Sequence, residues 1–473
     1  MKAKLNILAL WVLSSLTNAP ISIAGTNAPP NIVYILADDL GYGDLGCYGQ
    51  KTLKTPNIDR LAKEGMRFTQ HYSGSTVCAP SRSTLMEGRH TGHCSVRGNQ
   101  PPQLTDRSLK LLPAVLRDGG YATGIVGKWG VGDPPLPDDP LRCGFDYAYG
   151  YVNMWHAHNF FPEFLYRNGV KETLPGNKLD PAYPFPKLPE GTGVAKDRAI
   201  FAPDLIERDA LDFIRRNQSR RFFLFISLNL PHNNGEAAQA LGDGCEVPDY
   251  GEFAGRDWPV VERGFARMSQ FVDLTVGRVM EQLKKLGLEE NTLLLFSSDN
   301  GAYGGGNHDV EFFDSNGALR GYKRDLYEGG IRVPLIVRWP GRVAAGSTND
   351  HVSAMWDLFP TFCDVAGSGS PSGLDGISML PTLLSRKEQK QHEALYWEFH
   401  EQGGSQAVRQ GNWKAVRTHI KDSQPEQFEL FNLAADPGEK MDLAGQHPEI
   451  ARRLREWMTR SRQPHPSLNF KNP

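Results

Sequence analysis

The sequence predicts an α/β protein: a large central, mostly parallel sheet flanked by helices, followed by a smaller α+β subdomain built on an antiparallel sheet. Three observations carry this. Short β-rich apolar runs alternate with helical stretches over most of the chain. Polar and charged clusters follow the ends of successive runs. After Glu393 the pattern changes to short alternating pieces and one final helical stretch.

The runs at 31–37, 121–126, 222–228, 292–297 and 335–338 are apolar on both faces and bounded by turn residues, as buried strands of a parallel sheet are. Residues 261–286 read as a long amphipathic helix ended by Gly287. Phe265, Met268, Val272, Val276, Val279 and Leu283 recur at steps of three and four. Two Pro- and Gly-rich segments, 133–140 and 174–193, read as surface insertions, and 367–376 marks a boundary. Beyond it, 394–399, 413–416 and 428–433 predict a small antiparallel sheet with a helix ending near Arg460. The expected division is a leader at 1–24, a catalytic domain at 25–385 and a C-terminal subdomain at 386–473.

The chain has 473 residues, 40% hydrophobic and 22% charged, with a net charge of −2. That composition buries a large core and excludes a disordered chain. It also excludes a general nucleic-acid binder, which needs a basic face. Lys2 and Lys4, the apolar run 7–13 and Ser22-Ile23-Ala24 before Gly25 have the form of a secretory leader. The expectation is therefore an exported protein, periplasmic or secreted, without a membrane span. The six cysteines show no CxxC pairing and no zinc spacing.

In open α/β sheets ligands bind beyond the carboxyl ends of the strands. Asp38-Asp39 follows the first run, Lys128 the second, Pro231-His232-Asn233-Asn234 the third, and Asp299-Asn300-Gly301 the fourth. Each alone is also an ordinary turn, cap or surface charge; four at one end predict a shared mouth. Asp38, Asp39, Asp299 and Asn300 offer only hard oxygen donors, suited to calcium or magnesium and not to zinc. A second centre is Cys78-Ala79-Pro80-Ser81-Arg82. Pro80 suits the first turn of a helix, which puts Cys78 just before a helix N-terminus. Free N–H groups there favour anions, and Arg82 adds donors from the next turn. On this local sequence Cys78 reads equally as a buried structural cysteine.

Taken together these residues resemble the sulfatase family of the alkaline-phosphatase-like fold. The stretch 78–82 matches its Cys-x-Pro-x-Arg signature. Asp38 to Asp44, Gly127-Lys128-Trp129, 298–301, 319–323, 327–334 and 428–433 with Asp436-Pro437 are similar in register. The resemblance spans about residues 31 to 445, and the pattern is similar to that of bacterial glycosaminoglycan and N-acetylgalactosamine sulfatases. It implies that Cys78 is converted by a formylglycine-generating enzyme to 3-oxoalanine, whose gem-diol is the nucleophile. It implies a Ca2+ ion held by Asp38, Asp39, Asp299, Asn300 and modified Cys78. It further implies that Arg82 stabilises the formylglycine, that Lys128 and Lys323 bind sulfate, and that His232 faces the leaving group. His232 is then the expected general acid, titrating near neutral pH. One departure stands out: the family commonly reads Gly-Lys-Trp-His, and Gly130 occupies the histidine position here. His308 is the candidate to replace it.

The implied substrate is a sulfated glycan, with Asn233, Asn234, His308 and Arg320 as candidate contacts. The aromatic stretch 147–151 and Trp155 to His158 offer faces for pyranose rings. Galactose or N-acetylgalactosamine sulfate of chondroitin or dermatan sulfate is expected, 4-O slightly ahead of 6-O. The rivals are a phosphoester or phosphonate monoester hydrolase on the same fold and a non-catalytic glycan-binding protein.

Overall fold

The computed structural model describes residues 29–99, 104, 109–132, 136, 139–421 and 424–465. The expected leader at 1–24 lies outside the described residues.

Asn31–Ala37 lies near the middle of a ten-stranded sheet, with Thr292–Ser298 on one side and Phe222–Ser227 on the other, both parallel to it. Ala122–Lys128 and Tyr147–Tyr151 extend the parallel region. The outer strands depart from it: Leu335–Arg338 pairs antiparallel, as do Phe164–Arg167 and Val170–Thr173 at the far edge. The apolar runs follow from burial on both faces. Val33, Ile35 and Ala37 pack with the helices Ala202–Arg216 and Val260–Lys285. Ile32, Tyr34 and Leu36 pack with Cys78–Glu87, Leu112–Asp118 and Leu358–Ala366 on the opposite face. With both faces covered, every residue of the four central strands is buried.

The long helix and the 31–37 and 335–338 strands fall at or within a residue of their expected bounds. The second strand runs two residues further than expected, so Lys128 is its last residue. The insertion at 133–140 is not wholly superficial. Its end opens the short helix Asp139–Arg142, where Asp139 accepts a 2.9 Å bond from the buried Trp129 indole.

The C-terminal sheet is a meander of Leu395–Phe399, Ser405–Gln410, Trp413–Thr418 and Gln427–Asn432. One face takes Ala451, Leu454 and Met458 of the helix Pro448–Arg460. The other packs Trp397, Phe399 and Phe431 against Tyr72, Val77 and Trp356 of the main body. Trp397 donates to the Ser73 carbonyl at 3.0 Å. Lys414, fully buried, pairs with Glu328 and Glu439 at 2.9 Å each. Among the described residues no helix is long and apolar enough to cross a membrane.

Candidate active site

The parallel register brings the strand ends to one edge: Ala37 pairs with Ser298, Leu36 with Ser227, and Ser227 with Gly127. Asp38 and Asp39 leave the first strand beside Asp299 and Asn300. Asp39 takes a left-handed backbone, φ 67°, which aspartate tolerates better than most residues. Its N–H donates to Asp299 Oδ1 at 3.2 Å, and Leu40 N–H to Ser298 Oγ at 3.0 Å. Asn300 Nδ2 donates to Asp39 Oδ1 at 2.8 Å. All four side chains are buried, yet Asp38 Oδ1 and Asn300 Oδ1 have no hydrogen-bond partner. Buried oxygens left unpaired beside two further carboxylates fit a hard divalent cation, calcium among them.

Three cations face these carboxylates. Lys128 Nζ lies 2.6 Å from Asp38 Oδ2, and Lys323 Nζ 2.8 Å from Asp39 Oδ2. Arg82 Nη2 lies 2.8 Å from Asp299 Oδ2, while its Nη1 donates to the Lys128 carbonyl at 2.9 Å and to Ser227 Oγ. Burial alone would raise the Asp38 carboxyl; Lys128, His232, Arg82 and Lys323 outweigh it and hold it well below the usual carboxylate range. For Asp299, burial and the neighbouring Asp38 win over Arg82 and push it up. Burial would lower the Lys323 ammonium, but Asp39 raises it above its ordinary value.

Cys78 opens the helix Cys78–Glu87 rather than preceding it. Pro80 is the third helical residue, still within the first turn, where a missing N–H costs nothing. The thiol borders a pocket of about 170 Å³ lined also by Asn99, Met154, Trp155, His158, His232, Asn233, Tyr303, Lys323, Arg324 and Glu401. His232 Nε2 faces Lys323 Nζ at 3.1 Å and Asp39 Oδ2 at 3.4 Å, while Nδ1 donates to the Asn233 carbonyl at 2.6 Å. Burial first, and Lys323 second, push the imidazole well below its ordinary value. The expectation that it titrates near neutrality in the free site is therefore corrected. His158 stacks on it at 4.5 Å, its Nδ1 3.2 Å from Glu236.

Cys78, Arg82, Lys128, His232 and Lys323 thus meet the four oxygen donors, with Asn233 at the pocket wall. Three candidates do not join them. Asn234 caps the helix Gly235–Leu241, accepting from Ala237 N–H and donating to Glu246 and the Gly193 carbonyl. His308 stacks 3.8 Å from Phe265 and bonds Glu262 at 2.7 Å, lining a neighbouring cleft instead. Arg320 lies over the Tyr327 ring and pairs with Glu429 at 3.1 Å, in a further cleft. Nor does His308 replace the missing histidine. Gly130 has φ 77°, and a Cβ there would stand 3.0 Å from Arg82 Cδ, so the space is closed by Arg82 itself. Asn99, Arg324 and Glu401 join the pocket although no sequence motif marks them. All six cysteines are free thiols.

The Sulfatase family profile matches residues 30–368, and the profile described as N-sulphoglucosamine sulphohydrolase, C-terminal, matches 320–464. Among curated proteins the chain is similar to N-acetylgalactosamine-6-sulfatase of Rattus norvegicus, 33% identical over 92% of this chain and 85% of the relative. It is similar also to arylsulfatase A of Bos taurus, 32% identical over 94% and 88%. Among solved structures, Ps i-CgsB in complex with k-i-k-neocarrahexaose has a TM-score of 0.74 at 29% identity, covering 94% of this chain and 95% of that one. A phosphonate monoester hydrolase of Agrobacterium radiobacter, 21% identical over 91% and 94% with a TM-score of 0.63, shares the fold alone.

Proposed function

This chain belongs to the sulfatase family and is a sulfuric ester hydrolase; from that premise we propose that it removes an O-sulfate from galactose or N-acetylgalactosamine in a sulfated glycan such as chondroitin or dermatan sulfate. In this reading Cys78 is matured to formylglycine by a formylglycine-generating enzyme. Asp38, Asp39, Asp299, Asn300 and the modified residue 78 hold calcium. Export through residues 1–24, and the division into 25–385 and 386–473, belong to the same proposal.

The charge balance around Cys78 supports it best. Three buried cations face three buried carboxylates, so with those carboxylates ionised the protein alone leaves no positive charge over for an anion. A divalent cation in the oxygen cage leaves an excess of two positive charges, equal to the charge of the sulfate released. When bound, the cation supplies Lewis-acid charge and the formylglycine hydrate a hydroxyl nucleophile.

This chain's own groups do the rest. Lys128 and Lys323 hold the sulfate oxygens, and Arg82 fixes Asp299 and the Lys128 carbonyl so that the cage is preorganised. A sugar alkoxide leaves badly without a proton. His232 is neutral in the free site, with its one proton on Nδ1; an anionic ester drawing Lys323 onto its sulfate raises the imidazole, which takes a second proton from solvent at Nε2 and gives it to the departing oxygen. Trp155 and Met154 offer the sugar an apolar face, and Asn233 an amide.

The names of the curated relatives favour the 6-O ester, over the 4-O ester read from the sequence. Sulfate release from 4-sulfated and 6-sulfated N-acetylgalactosamine, measured beside nitrophenyl phosphate, tests this. The expected result is release from the 6-sulfate first and negligible phosphate turnover; preferential phosphate hydrolysis would overturn the reading.

A further inference from the structure

Asn99 stands beside residue 78 on a stretch of chain that no motif marks. Its Oδ1 accepts from the Ala79 N–H at 3.2 Å and lies 3.8 Å from Cys78 Sγ. The Ala79 N–H is one of the free donors in the first turn of the Cys78 helix, so this bond both satisfies the turn and fixes the amide against it. Asn99 is itself held: its main-chain N–H donates to Glu401 Oε1 at 2.6 Å. Glu401 follows the first strand of the C-terminal sheet, and its other oxygen accepts from Arg324 Nη1 at 2.7 Å. Arg324, next to Lys323, has a left-handed backbone, φ 84°, and its N–H is shared between Thr76 O at 3.0 Å and Thr76 Oγ1 at 2.8 Å.

Thr76 is two residues ahead of Cys78, so the bonds close a ring around residue 78: Thr76, Ala79, Asn99, Glu401, Arg324 and back to Thr76. A strained arginine persists only where its surroundings over-determine it. Asn99, Arg324 and Glu401 also line the same pocket as Cys78. On the side where Gly130 offers no side chain, Arg82 is packed.

We propose that Asn99 is a positioning residue that holds the side chain at 78 toward the carboxylate cage, and that Glu401, brought by the C-terminal region, sets Asn99. The proposal rests on residue 78 being the nucleophile. It assigns the C-terminal region a part in the site: Glu401 ties Asn99 to Arg324, and through it to the loop bearing Lys323.

Two readouts test it in the full chain. In protein whose residue 78 is still cysteine, the rate of Cys78 alkylation by iodoacetamide reports its cover and orientation. In mature protein, kcat and KM on a sulfated sugar report positioning. For Asn99→Ala the expected results are faster alkylation, kcat lower by about 10- to 100-fold with KM nearly unchanged, and a melting temperature lowered by only a few degrees. N99D, which keeps the acceptor oxygen for Ala79, regains much of the lost kcat. Glu401→Ala gives a smaller loss of the same kind, and the double variant loses less than the sum of the two single losses, because the part of the Glu401 effect carried by Asn99 is already gone. Unchanged alkylation and kcat in N99A, or additive losses in the double variant, would overturn the proposal. The reading of residue 78 fails separately, if wild-type protein is fully active without an aldehyde there.

Discussion

His232 meets two opposed demands at the scale of single residues. Burial and Lys323 keep it neutral in the free site, yet cleavage of a sugar sulfate needs a proton on the leaving oxygen. In the proposed function the ester's own charge reconciles them, which would make the residue's importance depend on the leaving group. His232→Ala is expected to lower kcat/KM on sugar sulfates by about 10²- to 10⁴-fold, and on nitrophenyl sulfate far less, because a phenolate departs without help. Comparing the two substrates checks this; equal losses would remove the acid role. The site residues most legible in the sequence are those at strand ends, because a polar group directly after a buried apolar run is carried by the sheet to its carboxyl edge. Asn234 and His308 lie in equally suggestive stretches but are spent on a helix cap and on a stacked ring hydrogen-bonded to Glu262. Asn99 and Glu401 are invisible in the sequence because their partnership spans 302 residues.

At the scale of elements, the central strands are legible because burial on both faces demands continuous apolar sequence. Ser405–Gln410 is not: its Gln406 and Arg409 side chains are buried through polar pairing, Gln406 with Tyr396 and Arg409 with Tyr72 and Gln70. The same polar packing joins the C-terminal sheet to the main body. Lys414 is enclosed between Glu328 and Glu439, and Glu328 lies in the segment that follows Lys323. Burial would raise the Glu328 carboxyl, but Lys414 and two arginines hold it down. Removing the ammonium strands buried carboxylate, so Lys414→Met is expected to cost about 3–5 kcal/mol. Urea unfolding measures it; a cost under about 1 kcal/mol would mean that the apolar contacts of Trp397 and Phe431 hold the sheet without the ion pair.

At the scale of the molecule, two buried histidines make acid destabilise this protein from about pH 6.5 downward. His71 and His156 are fully buried and pushed down from 6.5 to about 3 by burial. Above 6.5 both are neutral folded or unfolded and contribute nothing to the slope. Below it the unfolded chain binds protons that the folded chain refuses, so stability falls by about 1.4 kcal/mol per pH unit for each, down to about 3. His156→Phe, among the Tyr151 and Phe164 rings, should flatten that slope by one proton in urea titrations between pH 7 and 5; an unchanged slope would contradict it. In the proposed function residue 78 itself takes the sulfuryl group from the sugar. The direct test is inorganic sulfate release by Cys78→Ala beside wild type on the same glycan. A loss of at least about a thousandfold is expected in folded protein; a variant within tenfold of wild type would rule residue 78 out as the nucleophile.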